Sequence, residues 1–330
     1  MNTAEKTFSY PAKNSIVIAG AGAIGNYLGV QLHEAGFNVT FLGSTRIVSD
    51  EKQFGLTLEY PDNSQDIFSP TALLFTTDAR CCSRADLVII TVKSLATQTL
   101  IEQIKPHIHS HTTLLTLQNG ISNAAVLKAA FPGNVVCGGM VTFNVIEKAP
   151  SIFHLTTHGK VYLEKCSPSL LPVFQRAAMV AKEHDNMESV LWSKVLLNLI
   201  NPLNALSGLS LKQNLSDRQF RLQWAACMRE GLAVLESAGI KPAKVTSLPM
   251  RFLPFMVSLP NWIYLFLARN MTDMDATAKS SMAQDLQRGQ ATEIDFISGE
   301  LIRLGKKVGV ATPENDKVCA AVKLVEKLTL

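Results

Sequence analysis

The chain has 330 residues, 47% of them hydrophobic and 18% charged, with a formal net charge of +4. That length exceeds what one core comfortably supports, so two domains are predicted, and the apolar content excludes a disordered or fibrous protein. The mild positive balance, with no run of lysine and arginine, excludes a nucleic-acid-binding tail and suits small anionic ligands.

The opening fourteen residues, MNTAEKTFSYPAKN, hold no apolar core of the kind a secretory signal needs, so a cytoplasmic protein is expected. SIVIAG (15–20), FNVTFL (37–42), DLVIITV (86–92), TTLLTL (112–117) and NVVCGG (134–139) are short apolar runs. They predict buried strands of a mostly parallel sheet. Helical patterns over 26–35, 96–104 and 124–130 alternate with them, which predicts an α/β fold with a doubly wound sheet. SIFHLTTHGKVYLE (151–164) reads as a β-hairpin turning at His158-Gly159. LPVFQRAAMVAKEHDN (171–186) reads as the last helix and strand of this domain.

Between the first strand and first helix stands GAGAIG, formed by Gly20, Ala21, Gly22, Ala23, Ile24 and Gly25. In this strand–turn–helix setting G-x-G-x-x-G predicts a dinucleotide site. The first glycine permits the tight turn, the second lets backbone approach a pyrophosphate, and the third lets helix and strand pack closely. The helix N-terminus then offers N–H groups and a positive dipole to the phosphates. Where the second strand ends, VTFLGSTR (39–46), an NAD site usually carries a carboxylate for the ribose; here stand Ser44, Thr45 and Arg46. An arginine and two hydroxyls can hold a 2′-phosphate, which points to NADPH. Lys93 in ITVKS and Asn119 in LTLQNG follow later strands at their carboxyl ends, where ligands of open α/β sheets collect; each also fits an ordinary surface turn.

From about residue 186 the periodicity is helical, over 190–206, 217–238, 262–268, 279–288 and 293–308. The predicted domains are therefore 1–185 and an all-helical 186–330. Within the first helix, WSKVLLNLINP is apolar nearly all round, yet Lys194, Asn198 and Asn201 fall within roughly 60° of one another at about 100° per residue. Such a stripe either faces solvent or lines a cleft that needs an ammonium and amides. FLPFMVSLPNWIYLFLA (252–268) is uncharged, but short for a membrane span and broken by Pro254 and Pro260. It predicts a buried helix or a subunit interface, hence a homodimer, and no membrane segment. The six cysteines show no metal-ligand or disulfide spacing and are expected to be reduced; the seven histidines show no ligand spacing, and no metal site is expected.

Together GAGAIG, TVKS, LQNG, WSKVLLNLINP and SSMAQDLQRGQATEIDFISGE with VATPEN resemble the ketopantoate reductase family over nearly the whole chain. The resemblance implies an N-terminal Rossmann-type domain, a helical C-terminal domain, and NADPH-dependent reduction of a small anionic 2-keto acid, 2-dehydropantoate, to pantoate for coenzyme A biosynthesis. It implies a site in the cleft between them. Cofactor contacts fall on the 20–25 loop, Ser44 or Arg46, Lys93, Asn119, Asn144 and Glu293. Lys194 is implied as catalytic general acid, with Glu293 beside it, and Asn119, Asn198, Asn201 and Ser281 as substrate contacts. Asp295 in the same block reads as a surface or capping residue. Ser281 and Glu293 are twelve residues apart, so a bend at Gly289 is needed to aim both inward.

The chain departs from the family in three places. Asn201 lies seven residues beyond Lys194 where many members have eight, a further substrate asparagine is replaced near Leu211, and the arginine ending the second strand falls on Ser44. Reduction of another 2-keto acid is the neighbouring reading, and a cofactor-sensing regulator without turnover the more distant one.

Overall fold

The computed structural model describes residues 14–268 and 278–329. Most of the opening segment read for a secretory signal lies outside them. The chain forms two compact units, one of residues up to Gln118 with Ser122–Met187, the other of Asn119–Ile121 with Glu188 onward.

The first unit runs β1 (Ser15–Ala19), α1 (Ala23–Glu34), β2 (Asn38–Leu42), α2 (Thr45–Phe54), β3 (Leu56–Glu59), β4 (Gln65–Phe68), β5 (Leu74–Thr76), β6 (Leu87–Ile90), α3 (Thr97–Ile104), β7 (Thr113–Thr116), α4 (Asn123–Ala130), β8 (Val136–Val141), β9 (Asn144–Ala149), β10 (Ile152–Thr157), β11 (Val161–Glu164), α5 (Leu171–Arg176) and β12 (Ala181–His184). Eight strands form one sheet in the order β12-β11-β8-β7-β6-β1-β2-β5. All its pairings are parallel except β11 with β8. Leu87–Ile90 and Val136–Val141 are buried at every position, as a sheet covered on both faces requires. The chain leaves β1 toward β2 on one side and later returns through β6 on the other. The carboxyl end of β1 is thus the point where strand order reverses.

The expected hairpin over 151–164 does not form. β10 pairs with β9 and β3 in a separate four-stranded sheet, ordered β4-β3-β10-β9, while β11 crosses into the large sheet beside β8 and β12. At the crossing, Gly159 lies against the backbone of Thr142 and Phe143, where any Cβ would collide. His158-Gly159 therefore joins two sheets instead of reversing one ribbon. The antiparallel β11–β8 register, Leu163 opposite Gly139, also brings Cys137 and Cys166 together as a disulfide, with Cα atoms 6.4 Å apart. The expectation of six reduced cysteines fails for this pair, because twenty-nine residues of sequence separation conceal a neighbouring-strand contact. Cys81, Cys82, Cys227 and Cys319 are free.

The second unit is helical among its described residues: α6 (Met187–Asn198), α7 (Ile200–Ser207), α8 (Leu211–Ser216), α9 (Arg218–Ser237), α10 (Leu253–Ser258), α11 (Asn261–Leu267), α12 (Ser281–Gln287), α13 (Ile294–Val308) and α14 (Pro313–Thr329). Trp192, Val195, Leu196 and Leu199 pack with Phe220, Trp224 and Met228 of α9 and Ile294, Ile297 and Leu301 of α13 in one buried cluster. Gly231 of α9 permits this approach, since a Cβ there would lie 2.5 Å from Leu196 Cδ2 and force that side chain to move. The helix expected over 190–206 is interrupted at Leu199. Pro202 has no N–H to give the Asn198 carbonyl, and its ring crowds that oxygen, so α6 ends and α7 begins one residue on. The 252–268 stretch is not buried as a whole. Pro260 divides it into α10 and α11, and Phe255, Trp262, Phe266 and Leu267 are more than half exposed. No helix among the described residues is long and apolar enough to cross a membrane.

Candidate active site

In the first unit the glycine turn occupies the carboxyl end of β1. Gly20 takes φ +117°, a conformation costly for other residues, and its missing Cβ makes room for the backbone of Thr91 and Val92. Gly25 lies against the Gly20 carbonyl, which also accepts a 2.7 Å hydrogen bond from the Thr91 hydroxyl. A Cβ on Gly22, by contrast, would meet no atom within 4 Å. Two glycines are thus required by the protein's own packing and the middle one faces open space. Among the described residues no side chain caps the N-terminus of α1. Its first-turn N–H groups and dipole are available to an anion, so the residues present fit a dinucleotide pyrophosphate. Ala21, Ala23 and Ile24 supply backbone to the same turn.

At the end of β2, Ser44 is the N-cap of α2, its hydroxyl accepting from Ile47 N–H. The Arg46 guanidinium, in the first turn of α2, is held by Glu147 and Asp50. Lys93 is exposed just beyond β6, at the start of a turn closed by Ala96 N–H to the Lys93 carbonyl at 2.8 Å. Asn144 opens β9. Its N–H donates to the Thr157 hydroxyl at 3.1 Å and its carbonyl accepts from Thr156, which engages the backbone groups expected to meet cofactor.

Sequence reasoning missed the buried network behind these loops. The Gln118 amide donates to the Val92 carbonyl at 3.0 Å and to the Thr97 hydroxyl at 2.8 Å. Thr97 donates in turn to Asn123, and Asn123 to the Ser94 hydroxyl at 3.0 Å. It ties the turn carrying Lys93 to the one leading into Asn119. A glutamine two residues past the end of β7, directly before Asn119, was the available signal.

In the second unit, Asn119, Asn198 and Glu293 come together. The Asn119 amide donates to Glu293 Oε2 at 3.0 Å, and Asn198 Nδ2 donates to Asn119 Oδ1 at a long 3.4 Å. Glu293 stands at the N-cap of α13, and the chain reaches it from α12 through Gly289 at φ +60°, the bend that the spacing required. Asp295, by contrast, pairs with Lys323 at 2.6 Å. Lys194 lies one turn before Asn198 on α6 and is partly buried, with no hydrogen-bond or ion-pair partner among the described residues. Desolvation pulls its pKa down to about 8. An ammonium so placed yields its proton more readily than an ordinary lysine.

Asn201 falls on α7, beyond the break. Its carbonyl accepts from the Ser280 hydroxyl at 3.3 Å, and Ser280 also caps α12 through Ala283 N–H. Ser281, the next residue, is exposed at the start of α12. The unforeseen residue here is Asn204, fully buried. It bonds Asn214 and the Leu209 carbonyl through its amide N–H groups and receives Ser280 N–H on its oxygen.

The sequence profile described as "Ketopantoate reductase PanE/ApbA" matches residues 16–168, and its C-terminal counterpart matches residues 186–326. The chain belongs to the ketopantoate reductase family. It is similar to a 2-dehydropantoate 2-reductase of Pyrococcus horikoshii, 28% identical over 326 residues, which cover 95% of this chain and 98% of that one. A PanE/ApbA family ketopantoate reductase structure from Ralstonia eutropha JMP134 is 28% identical, with a TM-score of 0.80 and 96% and 99% of the two chains covered. D-mandelate dehydrogenase, solved with NADH and anilino(oxo)acetate, superposes with a TM-score of 0.82 over 96% and 99% of the chains at 23% identity, a likeness of fold. As a ketopantoate reductase family member, the chain is a nicotinamide-dependent oxidoreductase acting on CH–OH groups.

Proposed function

We propose that the chain reduces 2-dehydropantoate to pantoate with NADPH, with Lys194 as general acid. The observation that carries this reading is the Asn198–Asn119–Glu293 hydrogen-bond chain one turn from an unpaired, desolvated lysine. When bound, the dinucleotide supplies a hydride for the ketone carbon. The Gly20–Gly25 backbone and the α1 N-terminus hold its pyrophosphate, with Ser44, Arg46, Lys93 and Asn144 as further contacts. The Lys194 ammonium offsets the negative charge that grows on the ketone oxygen and transfers a proton to it, completing the hydroxyl. Asn198, Asn201 and Ser281 donate to the substrate carboxylate and hydroxyl. Glu293 fixes the orientation of the Asn119 amide, so that its oxygen faces Asn198.

One observation favours a different small 2-keto acid within the same chemistry. A substrate asparagine of many members is replaced near Leu211, the first residue of α8, whose N–H bonds the Ala278 carbonyl at 2.8 Å. An apolar side chain there would suit a substrate with a larger apolar group. The exposed face of α10 and α11 supports a homodimer as part of the same reading.

Following loss of nicotinamide absorbance with NADPH and a panel of 2-keto acids tests the proposal. Rapid turnover with 2-dehydropantoate, lost in Lys194→Ala, is the expected result. Turnover with a bulkier keto acid and none with 2-dehydropantoate would transfer the assignment to the second reading. Turnover with neither would end both.

A further inference from the structure

Arg46 is the residue placed to meet a 2′-phosphate, yet it already has anionic partners. Its Nη1 lies 2.9 Å from Glu147 Oε1 and its Nη2 3.3 Å from Glu147 Oε2, a two-pronged grip, while Nη1 also lies 3.1 Å from Asp50. Glu147 comes from β9 of the four-stranded sheet, a hundred and one residues away in sequence. The carboxylates are the sheltered members of the cluster, at 18% and 22% side-chain exposure, and the guanidinium is the open one at 57%. The nearby Glu51 is buried, and burial raises its pKa to about 8, so at neutral pH it adds little charge.

Among the described residues, one cation and two anions leave this cluster negative by one unit. A 2′-phosphate brings roughly −1.5 to −2 charges and must take the arginine from its carboxylates. A 2′-hydroxyl brings no charge and can donate to a carboxylate, the arrangement by which NAD sites usually read the ribose. We infer that Glu147 is a specificity-setting residue for the dinucleotide: by holding Arg46 it weakens the preference for the 2′-phosphate. The inference rests on the nicotinamide-dinucleotide reading above and tempers its NADPH preference.

Calorimetric titration with NADPH and with NADH, at low salt and without substrate, tests this on the purified full chain. Glu147→Gln keeps the shape and removes the charge; it should lower the ratio of the NADPH Kd to the NADH Kd by about fivefold. Arg46→Gln should raise that ratio, and adding Glu147→Gln to Arg46→Gln should change it no further, because Glu147 acts through the arginine. Should Glu147→Gln not fold, Asp50→Asn removes the other carboxylate from the same guanidinium and should shift the ratio in the same direction. A purely structural role for Glu147 would weaken both dinucleotides alike and leave the ratio fixed, which overturns the inference. An equal shift with and without Arg46 overturns it too. Binding of neither dinucleotide by the unaltered chain would remove the parent reading as well, whereas binding of both with an unresponsive ratio sinks this inference alone.

Discussion

Lys194, the proposed general acid, is desolvated, and desolvation has a cost that can be measured. Its folded pKa of about 8 lies below the ordinary 10.5, because desolvation disfavours the ammonium. Between those two values the unfolded chain holds more protons than the folded one, so stability rises as pH rises from about 8 toward 10.5. Below about pH 8 the charged lysine weighs against folding in full. Replacing it by methionine, similar in length and uncharged, should therefore raise Tm at pH 7. The same change should lower turnover by about 10²–10⁴-fold, the usual worth of a general acid. In the unaltered enzyme, reduction should slow as pH rises through about 8, where the acid form is lost. Thermal melts and steady-state rates across pH 6–10 check each part, and native turnover in Lys194→Met would take the lysine out of the reaction. The lysine and Asn198 were legible in sequence as a polar stripe on an apolar helix. The pairing of Asn198 with Asn119 and Glu293 was not, because those residues lie 79 and 174 positions apart across the two links.

Among the elements, the helices behaved as their punctuation dictates. A reading of 190–206 as one helix put Lys194, Asn198 and Asn201 in a single line. The interruption at Leu199, caused by Pro202, leaves two of them on α6 and one on α7, so the angles computed along an unbroken helix do not extend to Asn201. Pro202 was visible, but whether a proline ends a helix or only interrupts it is decided by what packs on the far side. Here α7 continues because Leu203 and Asn204 are buried. The region around α10 and α11 turns on another residue that periodicity could not single out. Arg221 of α9 is fully buried and donates to the carbonyls of Val257, Leu215 and Leu259 and to Asn261 Oδ1, at 2.7–2.9 Å, with its guanidinium 4.1 Å from the Tyr264 ring centre. It satisfies carbonyls at the end of α10 and before α11 that no helix bond reaches. Arg221→Met should cost about 3 kcal/mol or more, because several acceptors are left buried without donors. Urea unfolding followed by circular dichroism measures it, and a loss below about 1 kcal/mol would mean that water replaces the guanidinium.

At the scale of the whole molecule, the exposed aromatic face of α10 and α11 is the surface that a folded monomer is least expected to leave bare. Trp262 is 76% exposed and Phe266 81%, with Phe252, Phe255, Leu265 and Leu267 beside them in sequence. At about 150–250 Å² for each of the four aromatic residues, and less for the two leucines, this face approaches the roughly 800 Å² per partner of a stable interface. A homodimer is therefore expected in sedimentation equilibrium, and Trp262→Ser with Phe266→Ser should yield a monomer that still binds dinucleotide. A single-chain mass for the unaltered protein would leave this face to another role.

The sequence by itself determined the alternation of buried strands and helices, the glycine turn after β1, the change to helices near residue 186, and the bend at Gly289. Each rests on neighbours in the chain: the period of apolar residues, a glycine's missing Cβ, a helix N-terminus. Only the tertiary structure decided that β10 and β11 belong to different sheets, that Cys137 meets Cys166, that Gln118 braces two loops, and that Glu147 holds Arg46. These depend on strand order and register, which bring together residues that local patterning leaves unrelated. A single sequence records which side chains seek burial, a partner or a turn. Which distant partner each one finds is chosen by the packing of the entire core.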